Sequence, residues 1–286
     1  MRDMADRSEA EGNAVDGLLG QVDVAFVVDT TGSMDPFIDE ARERMRGIAR
    51  EVAQRGQLDM RYAVVEYRDH RPQDESFAVR VHPFGGGSQL QKSLDGLAAH
   101  GGGDHPECVL DGLSAAATLP WREHAERLCF LVGDAPPHGM GGRGDAWPEG
   151  CPCGKTLESV AVQLLDARVE LTALALTRET ALTESFQKIA RRLEGKYVGV
   201  GLAVPHGRDH GESPMASASA AVDCTRVVLE GSAGKVSRAR TYMRTVTSMV
   251  SPTREKIAAE MGISEQEAEE TETYLKKRGI KKDDDS

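Results

Sequence analysis

Residues 22–28 read Val-Asp-Val-Ala-Phe-Val-Val, an apolar run of strand length rich in valine, and this predicts a strand covered on both faces. A glycine-containing turn follows. Phe37, Ile38, Ala41, Met45, Ile48, Ala49 and Val52 then recur at three-to-four spacing, which predicts a helix over 36–54. Residues 59–67 form a second apolar strand that ends in Arg68-Asp69-His70, and 77–83 alternate as a short strand. Leu90, Leu94 and Leu97 mark one face of a helix over 88–100. After the flexible turn Gly101-Gly102-Gly103-Asp104 comes a helix over 107–119. Residues 127–133 contain Leu-Cys-Phe-Leu-Val, a buried strand, and 135–154 are rich in Gly and Pro and read as an irregular loop. A helix over 156–168, a strand over 169–176, a helix over 179–194 and a strand over 197–202 complete the pattern. Strands alternating with helices imply βαβ units. The expected fold is α/β, a doubly wound and mostly parallel sheet with helices on both faces.

The pattern changes after Val204. Residues 1–19 read as a flexible or disordered N-terminus, 20–204 as the α/β domain, 205–220 as a Gly-, Ser- and His-rich linker, 221–280 as a helical extension and 281–286 as a disordered tail. Within the extension, 222–250 are helical but weakly amphipathic. Residues 252–262 and 264–279 form a helical hairpin broken at Gly262. The hairpin resembles a helix-turn-helix, but its second helix carries Glu265, Glu267, Glu269, Glu270 and Glu272, which would face phosphates with like charge. A docking hairpin is the better reading.

Charge points the same way. The formal net charge is −11, which disfavours nucleic acid and anionic membranes as partners and suits a cation or a basic partner. No stretch approaches the ~20 apolar residues of a membrane span, and the polar start lacks a secretory signal. Five cysteines, an odd number in a large chain, fit a reducing compartment better than a disulfide framework. The expected location is the cytoplasm.

Binding sites of open parallel sheets lie at the carboxyl ends of the strands. Three such ends carry oxygen ligands. Asp29, Thr31 and Ser33 are spaced by two, so one tight loop can aim their oxygens at one point. Asp134 ends the Leu-Cys-Phe-Leu-Val-Gly strand, and the glycine-rich turn presents Asp104. Carboxylates with hydroxyls suit a hard cation, Mg²⁺ or Mn²⁺. Helix capping by Asp29 and Ser33 is the plainer alternative, but it explains only one of the three ends.

The Asp29-x-Thr31-x-Ser33 segment, its preceding strand and its following helix resemble the von Willebrand factor A domain and its metal-ion-dependent adhesion site. The resemblance spans about residues 20–204. It implies Asp29, Thr31, Ser33 and Asp134 as metal ligands and another protein as partner, with no catalysis. Where the family pattern has a distant threonine, this chain reads Asp104-His105-Pro106-Glu107, so Asp104 takes that place. The segments Gly-Gly-Gly-Asp…Pro-Glu, Tyr-Arg-Asp-His and Asp-Ala-Pro-Pro-His-Gly…Cys-Pro-Cys-Gly are similar to those of intracellular A domains found beside atypical α-kinases and in stand-alone bacterial proteins. Three aspartates on one dication should help metal binding and reduce the ion's demand for an external anion. A neutral or basic partner, or a purely structural metal, is then expected.

A second constellation, His138 with Cys151 and Cys153, offers zinc-type ligands, with His105 or Cys108 as fourth. Its Cys-Pro-Cys spacing is tight, and a proline-held loop with free thiols is the preferred reading over Zn²⁺. Asp69 and His70, at the same rim, read as loop-orienting or partner-contacting residues. A metal-dependent hydrolase or phosphoryl-handling enzyme is the alternative function. It would need a base near the metal, for which only Asp104, His105 or Glu107 stand in reach. Ser33 has no histidine placed beside it as a nucleophile requires. A nucleotide site is weakened by the carboxylate of Asp29 and by the absence of a phosphate-cradling loop.

Overall fold

In the computed structural model of this chain, the described residues are 17–39, 42, 43, 45, 46, 58–199, 234, 235, 237–243 and 253–280. The strands are β1 (Gln21–Asp29), β2 (Asp59–Tyr67), β3 (Val79–Gly85), β4 (Glu126–Gly133), β5 (Glu170–Ala175) and β6 (Lys196–Gly199). They form one sheet in the order β3-β2-β1-β4-β5-β6. Every pair is parallel except β2 with β3. The helices are α1 (described positions 35–39, 42, 43, 45 and 46), α2 (Gly87–Asp95), α3 (Val109–Ala117), α4 (Leu157–Asp166), α5 (Thr180–Arg192), α6 (described positions 234, 235 and 237–243), α7 (Arg254–Met261) and α8 (Glu265–Lys277).

The unbroken apolar run of β1 is explained by burial on both faces. Val22, Val24, Phe26 and Val28 pack against Phe37, Ile38 and Met45 of α1 and Leu90 and Leu94 of α2. Ala25 and Val27, pointing the other way, meet Leu110 and Leu113 of α3, Val160 and Leu164 of α4, and Phe186 and Ile189 of α5. Each fully buried aliphatic or aromatic side chain contributes about 1.5–3 kcal/mol relative to exposure. Two such layers stabilise the central strands without any alternation in their sequence. Asp23 is the polar exception in β1. It is buried at the amino end, where Arg61 donates to it at 2.7 and 3.0 Å and Arg122 at 2.8 Å from both backbone N and Nε.

The architecture is the α/β, doubly wound one that the hydrophobic pattern predicts, with bounds that shift by a few residues. The largest shift is at α2, which ends at Asp95 instead of 100, and β3 runs through Pro83 to Gly85 instead of spanning 77–83. Pro83 is tolerated because β3 is an edge strand, and the register slips between Tyr62 and Val64 where Pro83 and Phe84 lie opposite. The last strand begins at Lys196 and its described part ends at Gly199.

The helical hairpin of the extension is present as α7 and α8. Gly262 takes the left-handed conformation between them, and Ser264 with Glu267 forms a reciprocal capping box. Ile257, Ala258, Ala268 and Leu275 build a third core with Leu19 and with Tyr242 of α6. Arg278 fastens this unit to the sheet. It is 4% exposed and donates to the carbonyls of Leu18, Leu19, Gln21 and His124 at 2.6–3.1 Å. The expected linker over 205–220, the tail and residues 1–16 lie outside the described residues, as does most of the helix expected over 222–250. Among the described residues no helix is long and apolar enough to cross a membrane.

Candidate metal centre

The chain leaves β1 to build β2 on one side and later β4 on the other. Beyond their carboxyl ends the loops diverge, and a crevice opens where open α/β sheets bind ligands. Asp29, the last residue of β1, and Asp134, just after β4, stand on its two walls. Asp29 Oδ1 accepts from Thr31 N at 2.8 Å and from Thr31 Oγ1 at 2.6 Å. Thr31 Oγ1 lies 3.2 Å from Ser33 Oγ, and Ser33 Oγ donates to Asp134 Oδ1 at 3.0 Å. One chain of oxygens therefore crosses the crevice. Asp29 and Thr31 are buried and Ser33 is exposed, so the row ends at the solvent.

The turn at residues 101–103 covers this loop, with Gly32 N donating to Gly101 O at 2.9 Å. Gly102 has a positive φ of 80°, and a Cβ there would meet Glu107 Oε1 at 2.9 Å and Thr31 Cβ at 3.2 Å. The glycine is required because the Glu107 side chain lies beneath it, next to Thr31. Glu107 is 3% exposed and held by its backbone N on Pro136 O at 3.0 Å.

Two oxygens of this group, Asp29 Oδ2 and Glu107 Oε2, are buried without a hydrogen-bond donor. Burial, then the nearby Asp134 carboxylate, push Asp29 up to about 8. Burial, then Asp29, Asp69, Asp134 and Asp104, push Glu107 up to about 11. Burial raises Asp134 as well. Arg68 is the nearby cation that lowers Asp29, but its own donors go to Thr30 Oγ1, Ser76 Oγ and Ala98 O. Among the described residues the crevice thus concentrates carboxylates with open lone pairs, and no lysine or arginine donates to Asp29, Asp134 or Glu107. A hard divalent cation fits this donor set.

Beside it lies a second network. His138 is buried, and its Nε2 bonds to Asp69 Oδ1 and its Nδ1 to Asp145 Oδ1, both at 2.8 Å. Burial opposes charge on this imidazole, yet the two carboxylates overcome it and raise His138 to about 9. Asp69 Oδ1 also accepts from His70 N at 2.6 Å, so this buried aspartate orients the rim loops. Asp104 Oδ2 accepts from Ala146 N at 2.8 Å, and burial, then the neighbouring Asp69 carboxyl, raise Asp104 against that hydrogen bond.

A family model described as von Willebrand factor A domain matches residues 23–140. Alpha-protein kinase vwkA of Dictyostelium discoideum is 26% identical over 156 residues, which cover 52% of this chain and 24% of that protein. Residues 23–140 of this chain match the von Willebrand factor A domain. The pilus adhesin SpaC of Lactobacillus rhamnosus GG superposes with a TM-score of 0.50 at 14% identity, over 74% of this chain and 30% of that one. A von Willebrand factor type A structure from Catenulispora acidiphila covers 72% of this chain and 42% of its own at 17% identity and a TM-score of 0.47. The chain spans about a quarter of the length of the curated relative it matches.

In this A domain four of the five expected oxygen ligands, Asp29, Thr31, Ser33 and Asp134, are joined by hydrogen bonds. Asp104 is not in that chain. It faces Asp69, Ala146 and the His138–Asp145 pair instead, because the turn that presents it has its Gly101 and Gly103 pressed against Asp74 and Gln73. Glu107, three residues on, is the carboxylate that lies with Thr31 under Gly102 and is raised by the charges of Asp29 and Asp134. Sequence reading named Glu107 only as a base candidate. The signal that could have found it is the last residue of the Asp-His-Pro-Glu segment, where proline ends the turn and the next side chain points inward.

The His138, Cys151 and Cys153 triad does not assemble in the A domain. Both ring nitrogens of His138 are taken by carboxylates, which leaves no lone pair for a metal. His105 pairs with Glu179, and Cys108 lies 3.6 Å from Asp69 Oδ1. The thiols of Cys151 and Cys153 gather instead around Asp111 and His70.

Proposed function

We propose that the A domain binds Mg²⁺ or Mn²⁺ at the carboxyl ends of β1 and β4 and uses the loaded site to hold another protein, without catalysing a reaction. Asp29, Thr31, Ser33 and Asp134 would hold the ion, with Glu107 as the third carboxylate and Asp104 in support from the adjoining network. The single observation that carries this reading is the pair of donorless buried oxygens, Asp29 Oδ2 and Glu107 Oε2, set beside a hydroxyl row that opens to solvent. Helix capping leaves both unexplained, since neither oxygen meets a backbone N–H.

When bound, the ion supplies a positive point able to take an oxygen from a partner. Three carboxylates against a dication leave the loaded site with a formal −1, so the docking surface should prefer neutral or basic groups over an acidic one. Ser33 Oγ spends its hydrogen bonds on Thr31 and Asp134, and among the described residues no imidazole bonds to it. That supports binding over hydrolysis.

Parallel affinity purifications with wild type and Asp29→Ala, each in Mg²⁺ and in EDTA, test the function. The expected result is at least one partner lost both on chelation and on substitution. A folded wild type with no metal-sensitive partner would overturn the binding role.

A further inference from the structure

Outside the crevice, the loop of residues 134–156 carries no helix or strand beyond an isolated bridge pair at Pro137. A loop of this length in a compact domain needs something to hold it. Its last part, Gly150-Cys151-Pro152-Cys153-Gly154, is a turn closed by Gly154 N on Cys151 O at 2.9 Å. Gly150 and Gly154 both have positive φ. Residues two apart in extended chain share a side but stand about 6.6 Å apart, and this turn brings the two Sγ atoms to 3.0 Å.

Two further groups meet them. His70, after β2, places Nε2 at 3.2 Å from Cys151 Sγ and 3.2 Å from Asp111 Oδ2. Asp111, in the first turn of α3, places Oδ2 at 3.1 Å from Cys151 Sγ and 3.3 Å from Cys153 Sγ. The four ligand atoms all lie within 4.8 Å of one another. We propose that His70, Asp111, Cys151 and Cys153 form a structural zinc site that clips the end of this loop to β2 and α3.

Two sulfurs, one imidazole nitrogen and one carboxylate oxygen are a complete tetrahedral set for Zn²⁺, and their softness disfavours Mg²⁺ or Ca²⁺. Sulfurs bound at about 2.3 Å to a tetrahedral ion stand about 3.8 Å apart, so the thiols open by a little under 1 Å to admit it. Cys153 is exposed and can make that adjustment. Binding releases the two thiol protons. Two thiolates and one carboxylate against Zn²⁺ leave a single negative charge. Lys155 answers it, with Nζ donating to Asp111 Oδ1 at 2.7 Å as an outer partner that holds the ligating carboxylate. Cys-Pro-Cys alone argued for free thiols. The missing ligands come from segments about 40 and 80 residues away, which only the fold brings together.

The test is metal analysis of the full chain purified without chelator. About one zinc per chain is expected in wild type, in His138→Ala and in Asp29→Ala, and well under 0.1 in Cys153→Ser and Asp111→Asn, with circular dichroism checking the fold. Lys155→Met should retain the site but weaken zinc about 10–100-fold. Should the ligand variants fail to fold, wild type carries the test. Cobalt added to the apo chain should give thiolate-to-cobalt absorption, and it should do so equally in His138→Ala. A zinc-free wild type without that absorption, a Cys151–Cys153 disulfide in protein kept reduced, or zinc retained by folded Cys153→Ser would overturn the proposal. Because Asp29→Ala separates the two sites, failure here leaves the Mg²⁺ reading standing.

Discussion

Replacing Glu107 by glutamine keeps the shape of the side chain and removes its charge. In the folded chain without metal, burial and the surrounding carboxylates raise Glu107 from 4.5 to about 11. The folded state therefore keeps a proton that the unfolded state gives up. The stability this group contributes is complete below pH 4.5 and is lost as pH rises toward 11, by about 1.4 kcal/mol per unit. At pH 7 the loss is about 3 kcal/mol, and at pH 5 under about 1 kcal/mol. Glutamine does not titrate, so Glu107→Gln should be more stable than wild type in EDTA by about 3 kcal/mol at pH 7, a margin that shrinks toward pH 5. Mg²⁺ should act in the opposite sense. At a hundred times its dissociation constant it stabilises the native state by about 2.7 kcal/mol, and the variant, one carboxylate short, should gain less. Urea unfolding at pH 5, 6 and 7, with EDTA and with Mg²⁺, measures all of this. A variant no more stable than wild type in EDTA at pH 7, or a margin indifferent to both pH and Mg²⁺, would refute the reasoning.

Asp104→Thr should weaken Mg²⁺ binding less than Glu107→Gln does, because Asp104 faces Asp69 and Ala146; calorimetry showing the larger loss for Asp104 would return it to the metal. Arg278→Ala leaves four carbonyls without their donor and should cost about 2–4 kcal/mol, read as earlier proteolysis of α7 and α8; unchanged protease resistance would show that the helices dock without it. Phe186→Ala empties a fully buried site under the sheet and should cost about 3–5 kcal/mol in urea unfolding; a loss below 1 kcal/mol would mean the cavity collapses.

The fold was legible because period and burial agree at almost every element. The two-sided burial of β1 leaves a run without alternation, and the heptad-like leucines of α2 mark the other layer. β3 was harder to bound, since Pro83 reads as a stop in sequence yet sits at an edge irregularity where no ladder hydrogen bond is needed. In the crevice, the meeting of Asp29, Thr31, Ser33 and Asp134 in one hydrogen-bonded row was legible from local spacing and strand ends. Choosing between Asp104 and Glu107 required knowing how the three glycines press on Asp74, Gln73 and Thr31, a contact pattern with no local signature. The thiols were visible, but the partners of Cys151 were not. His138 looked the natural ligand by proximity in sequence, whereas Asp69 and Asp145 occupy both its nitrogens, and His70 reaches Cys151 Sγ from beyond the carboxyl end of β2.

The most direct measurement is calorimetric titration of Mg²⁺ and of Mn²⁺ into wild type and Asp29→Ala, each checked for fold by circular dichroism. The carboxylates at the ends of β1 and β4 predict one ion bound per wild-type chain and none by the folded variant. Equal binding by both proteins, or no binding by either, would contradict the metal centre.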